Sequence, residues 1–361
     1  MEHYSLRVTA VGDISLGDHP VCVGHGMRST FEKKGAAIIR EVEHVLKDAD
    51  VTLGNLETVA SDKGLKRGLL TSFEMRGAPS SLSYIKRAGF NLLGVANNHA
   101  MQHGEEAFLE SVANVREKGF GLMGVDETPG KTAPYRFTKN GVEHTFFAVS
   151  LRPEEWHDGQ VPYSKRDNFD SLLREVKELK ENTEGFLICS IHWGLELLDY
   201  PGPEEIELGR AMVDAGVDVI LGHHSHLLWP VERYRNGLIF YSLGNFLFDL
   251  WAPETKLSVI VNLDLHKDRN PDYTLTPVVI KDDFTLQLAD GKAADKIRAR
   301  MREGQVSPFK TAEEYKSTYR AAFKATRPVK YKYFLKNFYK YSPSIFVQSL
   351  LRTFIRRVTG N

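Results

Sequence analysis

At 361 residues the chain is long enough for one large α/β domain or two ordinary ones, and its 42% hydrophobic and 26% charged residues are typical of a soluble globular protein. Lys plus Arg and Asp plus Glu each total 47, so the molecule as a whole is no polyelectrolyte and a nucleic-acid partner is not expected. The two cysteines, Cys22 and Cys189, exclude a disulfide framework; with no signal-type apolar segment and no apolar run of about eighteen residues, cytoplasm is the expected compartment.

In chain order, Leu6–Val11 reads as a first strand ending at Gly12-Asp13. Ile38, Ile39, Val42, Val45 and Leu46 recur at helical spacing over 35–47, followed by a strand over 50–53 and Gly54-Asn55-Leu56-Glu57. A Pro-initiated helix over 79–88 leads to a strand over 90–95 and then Ala96-Asn97-Asn98-His99. A helix over 104–118 precedes a strand over 120–123. Asn140-Gly141 and Asn236-Gly237 mark two hairpins. Between them, helix 168–181 leads to strand 186–191 with His192-Trp193-Gly194. Helix 204–215 leads to strand 217–221 with Gly222-His223-His224-Ser225-His226. Strands over 256–265, 273–280 and 283–288 and helices over 291–303 and 311–325 complete the reading. Cys189, Trp193 and Phe246 read as core; His3, His19, His25, His44 and His157 read as surface residues.

This is βα alternation extended by hairpins, hence an α/β fold with parallel strands at its centre and antiparallel ones added. Polar residues recur just after the strands: Asp13, Glu57, Asn98, His99, His192, His224 and His226. Strand C-termini share one edge of a sheet, where ligands bind, so residues more than about two hundred positions apart can converge there. Carboxylates, an amide and imidazoles form a mixed O/N donor set suited to one or two Mn, Fe or Zn ions. Two such ions, bridged by a carboxylate such as Glu57, clamp a phosphate ester and lower the pKa of a shared water to about 7. His99 is placed to protonate a leaving oxygen or to hold transition-state charge. No Walker A loop, His-Glu-x-x-His or Gly-x-Ser-x-Gly competes with this reading.

Six stretches, Val11–Gly17, Gly54–Glu57, Ala96–His99, His192–Glu196, Gly222–His226 and Tyr241–Phe246, resemble in order the CapA (PGA_cap) capsule and poly-gamma-glutamate synthesis family of the calcineurin-like metallophosphoesterase superfamily. The resemblance implies a four-layer α/β-β/α sandwich. Asp13, Glu57, Asn98, His192, His224 and His226 then match metal-ligand positions and His99 the catalytic histidine. Arg76, Asn97, His223, Glu196 and Asn245 are the candidates for substrate contact, Arg76 because its fork fits phosphate or carboxylate. The implied activity is metal-assisted hydrolysis of a phosphate ester in capsule, exopolysaccharide or poly-gamma-glutamate synthesis. The alternatives are a non-catalytic scaffold or assembly subunit, and an amide hydrolase acting on a gamma-glutamyl polymer. The substrate would be a small molecule or polymer bearing phosphate or carboxylate. Three positions depart from the superfamily pattern: Ser15 replaces the first motif's His, Gln102 an Asp, and Glu57 the bridging Asp.

The resemblance ends near residue 250. The expected division is a body over 1–290 and a helical extension over 291–361. From Tyr315 onward the chain carries Lys and Arg but no Asp or Glu, so the body is acidic and the tail basic. Within 329–358, Phe346/Val347, Leu350/Leu351, Phe354/Ile355 and Val358 form an apolar stripe beside Lys332, Lys336, Lys340, Arg352, Arg356 and Arg357. A basic amphipathic helix of this kind suits the inner face of the cell membrane or a protein partner, or else docks on the acidic body.

Overall fold

The structure, a computed structural model, describes residues 4–359, with side chains as far as 352. His3 and the stripe side chains Phe354, Ile355, Arg356, Arg357 and Val358 lie outside the described residues.

Two mixed sheets lie face to face. The eight-stranded sheet runs Leu286–Leu288, Asp272–Ile280, Leu257–His266, Ser5–Ile14, Val51–Leu56, Leu92–Gly94, Gly121–Met123, with Asn245–Leu247 added in parallel at the end of Ser5–Ile14. The six-stranded sheet runs Val231–Tyr234, Gly237–Phe240, Val219–His223, Leu187–His192, Val142–Ser150, Tyr135–Lys139. The βα units supply the parallel centres; the two Asn-Gly hairpins supply the antiparallel edges of the six-stranded sheet, and Leu257–His266, Asp272–Ile280 and Leu286–Leu288 that of the eight-stranded one.

Side-chain alternation accounts for the layers. Ile188 belongs to the core between the sheets, whereas Leu187, Cys189 and Ile191 pack outward with Leu172, Val176 and Leu179 of helix Phe169–Glu181 and Leu208 and Met212 of helix Pro203–Asp214. Each such buried aliphatic side chain contributes about 1.5–3 kcal/mol. Ser190 and Ala148 face Gly94 of the other sheet, so His192, two residues beyond Ser190, points into the inter-sheet space. Helices Leu82–Arg87 and Glu105–Glu117 add Leu82, Ile85, Phe108, Val112 and Val115 to the core of the first sheet. The fold is a four-layer α/β-β/α sandwich.

Three elements differ from expectation. Residues 35–47 bury Ile38, Ile39, Val42 and Leu46 as their spacing requires, but as a 3₁₀ turn and a short helix Glu43–Leu46 rather than one helix. Helix Gly291–Arg300 ends before the expected residue 303 and buries Ile297 in the main core. The helix expected over 311–325 continues as Ala312–Asn337, through Pro328, and Pro343–Thr359 follows.

The extension lies along the body. The Leu195 amide donates to Tyr315 Oη (3.0 Å) and Tyr333 Oη lies 3.2 Å from His25 Nε2. Tyr341 and Ile345 pack with Val23 and Leu70, Tyr341 Oη bonds the Val21 carbonyl, and Arg352 pairs with Glu74. His25 is therefore buried beneath the tail rather than exposed. No helix among the described residues is long and apolar enough to cross a membrane.

Candidate metal centre

The motifs meet because their backbones are nearly in contact. A Cβ on Gly12 would lie 2.0 Å from the Gly244 carbonyl oxygen, and one on Gly222 would lie 2.0 Å from that of Tyr241, so only glycine fits at either place. The Asp13 amide donates to Gly244 (2.9 Å) and the Leu243 amide to Gly222 (2.9 Å). These bonds tie the C-terminal ends of Ser5–Ile14 and Val219–His223 to the segment 241–245, across the boundary between the two sheets. Beyond the second strand, His224 (φ 91°) and His226 (φ 58°) have left-handed backbones. Non-glycine residues held there cost about 1–3 kcal/mol each, and such strain clusters at functional sites.

Two donor groups result, and Glu57 belongs to both. In the first, His192 Nε2 faces Asn98 Oδ1 at 2.8 Å, His224 Nδ1 at 3.1 Å and Glu57 Oε1 at 3.5 Å. The second comprises Asp13, Glu57 and His226. Asn245 Nδ2 donates to the Thr255 carbonyl (3.0 Å), which leaves its Oδ1 to accept from His226 Nδ1 (2.9 Å). His226 thus keeps Nε2, 4.0 Å from Glu57 Oε1, as its free donor. Asn245 thus fixes the His226 imidazole, the kind of orientation on which metal sites depend.

The electrostatics fit a cation. Both Glu57 oxygens are buried without a hydrogen bond, as is His224 Nε2. Burial, then the Asp13 and Glu196 charges, push the Glu57 carboxyl well above the usual range. Burial works against ionised Asp13 too, but the hydrogen bond and charge of His223, with His192 and His226, hold it well below the ordinary value. Burial keeps His192 and His224 neutral, the state in which imidazole ligates. Unpaired carboxylate oxygens beside a second carboxylate are costly in the bare protein, and a divalent cation removes that cost. The residues present therefore suit a divalent ion.

The remaining candidates separate. His99 lines a cavity of about 970 Å³ that reaches His226. Its Nδ1 pairs with Gln102 Oε1 (2.7 Å), and burial holds its pKa near 4. Glu196 lines the same cavity. Arg76 is buried with Nη1 on the Lys63 carbonyl (2.6 Å) and is not among the cavity's lining residues. Asn97 supports its own turn, donating to the Leu56 carbonyl (2.9 Å) and accepting from the His99 amide (3.1 Å). His223 is fully buried, with Nδ1 3.2 Å from Asp13 Oδ1. Arg76, Asn97, His223 and Asn245 are not among the residues that line this cavity. Ser15 Oγ donates to the Gly17 carbonyl (2.7 Å) and accepts from the Gly17 amide (3.2 Å), so its hydroxyl closes its own turn.

Sequence reasoning missed three contributors. Asn55 Nδ2 lies 2.8 Å from Asp13 Oδ1 and 3.3 Å from His192 Nδ1, joining both donor groups; its place two residues before Glu57 was the available signal. Trp156 Nε1 donates to the Asn98 carbonyl (2.9 Å) from a loop without a motif. His19, expected on the surface, lines the cavity.

The profile of the family described as "Bacterial capsule synthesis protein PGA_cap" matches residues 7–250. The capsule biosynthesis protein CapA of Bacillus anthracis is 30% identical over 296 residues, 78% of this chain and 69% of the relative. The PGA biosynthesis protein CapA of Bacillus subtilis is 28% identical over 285 residues, 76% and 72% of the two chains. A probable polyglutamine synthesis accessory protein of Mycobacterium tuberculosis is 26% identical over 220 residues, 55% and 56% of the two chains. Among solved structures, a hypothetical protein of Thermus thermophilus aligns with TM-score 0.44 at 17% identity, covering 75% of this chain and 99% of the other. The profile match takes in every strand end that contributes to the centre, from Asp13 to Asn245, and with it this chain belongs to the bacterial capsule synthesis family PGA_cap.

Proposed function

We propose that the chain is a divalent-metal-dependent hydrolase of the phosphoesterase type that serves capsule or polyglutamate synthesis. The observation that carries this reading is Glu57, a fully buried carboxylate with no hydrogen bond, shared by two donor groups. Asn98, His192, His224 and Glu57 would hold one ion; Asp13, Glu57 and His226 would hold a second. The ions would supply Lewis-acid polarisation of a phosphoryl oxygen and an acidified water. Asn55 and Asn245 fix the ligands in place, and His99 on the cavity wall assists the departing oxygen. Gln102 orients that imidazole but, unlike a carboxylate, adds no charge to keep it protonated, so the anionic substrate itself must do so. The polymer context comes from the names of the Bacillus and Mycobacterium relatives.

The test is metal per chain together with turnover of phosphomonoesters, phosphodiesters and γ-glutamyl amides by wild type and His192→Ala. Metal-dependent turnover of a phosphate ester, lost in His192→Ala, is expected. Stoichiometric metal without turnover would favour the second reading, an assembly subunit that retains the metal scaffold. Ser15 and Gln102, both lacking the superfamily's side chain, favour that alternative.

The extension supports peripheral membrane attachment. Leu335, Phe338, Tyr339, Val347, Leu350 and Leu351 are exposed beside Lys332, Lys336 and Lys340. Co-flotation with phosphatidylserine vesicles should drop on Leu335→Glu/Tyr339→Glu substitution; unchanged flotation would remove the membrane role.

A further inference from the structure

The cavity at the metal centre is walled on one side by residues beyond the family-matched segment. Along helix Ala312–Asn337, Phe323, Thr326, Arg327, Lys330 and Tyr331 follow three- to four-residue spacing, so a single helical face looks into the cavity that His99 and His226 line from the body. Arg352, from the following helix, also reaches it, but its charge is matched by Glu74. The acidic groups among the described lining residues are Glu74 and Glu196. Lys330 Nζ stands 6.0 Å above the Trp251 ring, on the cavity wall. His19, also on that wall, is depressed by burial first, then by the charges of Lys330, His226 and His99, so the helix cations and the metal centre share one electrostatic compartment.

We infer that Arg327 and Lys330 form a second anion subsite, which selects substrates carrying another anionic group at a distance from the one held at the metal centre. The inference deepens the reading of the same site and rests on it only for where the reacting group sits. A guanidinium fork fits a carboxylate or a phosphate bidentately and an ammonium adds a mobile point charge, so the shared chemistry is a chain or linked pair of oxyanions. Both side chains are exposed along the cavity mouth, as a subsite filled from solvent requires. A substrate with one anion would use the body alone; a longer one would also engage the extension.

Calorimetric titration of the Mn²⁺-loaded full chain tests this, with inorganic phosphate as the single-anion probe and tri-γ-glutamate and tripolyphosphate as multi-anion probes. For Arg327→Gln/Lys330→Gln, the Kd of at least one multi-anion probe should rise about tenfold or more while that of phosphate changes less than about twofold. The probe that loses affinity identifies carboxylate or phosphate as the favoured group. Lys332→Gln/Lys336→Gln removes the same charge from the same helix outside the cavity lining and should retain wild-type affinity. Unchanged multi-anion binding in Arg327→Gln/Lys330→Gln, or an equal loss in the Lys332/Lys336 variant, would overturn the subsite. The titration reads binding rather than turnover, so failure of the subsite leaves metal-dependent hydrolysis intact, and failure of the hydrolase reading for want of turnover leaves the binding difference intact.

Discussion

The two halves of the centre are built to different standards. The half around His192 brings Asn98, His224 and Glu57 within 3.5 Å of a single imidazole nitrogen. The half around Asp13 groups Glu57 and His226 with it among the described residues, and Ser15, where the superfamily has a histidine, offers no imidazole. Ligand number and geometry govern affinity at such sites, so the first half should bind a divalent ion tightly and the second weakly. One fold thus offers a firm corner and a loose one, joined by a single carboxylate.

That contrast can be broken at its strongest point first. His224→Ala removes a donor from the firm corner alone, and bound metal by mass spectrometry should fall by about a hundredfold in affinity at that corner. Equal loss from both corners would mean that they are not separate. Asn245→Ala leaves every ligand in place but frees His226. It should weaken only the loose corner, by about 10–100-fold, as loss of a group that orients a ligand typically does.

Acidity acts through the shared residue. Glu57 has a raised pKa and must be ionised to bind metal, so a bound proton competes with the cation. Metal affinity should fall as pH drops from the raised Glu57 value towards the ordinary glutamate range. The same shift has the opposite sign for the metal-free fold: a carboxyl raised on folding gives stability at low pH that is lost as pH rises through its folded pKa. Glu57→Gln should flatten the part of both slopes that Glu57 supplies, read by metal titration and by thermal melts. Ser15→Ala is the mildest change. It breaks a turn hydrogen bond at a cost of about 1 kcal/mol and leaves metal affinity within about twofold; a large loss of metal would place Ser15 among the ligands after all.

Much of this contrast was legible in the sequence. The donors follow strands, and strand order brings their ends to one edge, so Asp13, Glu57, Asn98, His192, His224 and His226 can be picked out by position and chemistry. What positions those donors was less legible. Asn55 looks like a turn residue until its bond to His192 is visible, and Asn245 and Arg76, read as candidates for substrate contact, also bond His226 and the Lys63 carbonyl. The extension was the least legible part. Its basic, aromatic spacing fits a membrane surface as well as a protein groove, and only tertiary contacts such as Tyr333 with His25 and Arg352 with Glu74 bring it to the cavity.

The most direct test of a two-corner centre is a Mn²⁺ titration of the metal-free full chain, followed by calorimetry. The predicted result is one tight site and a second at least about tenfold weaker, with His192→Ala abolishing the tight one. Two sites of equal affinity would contradict the asymmetry, and no binding at all would contradict the centre itself.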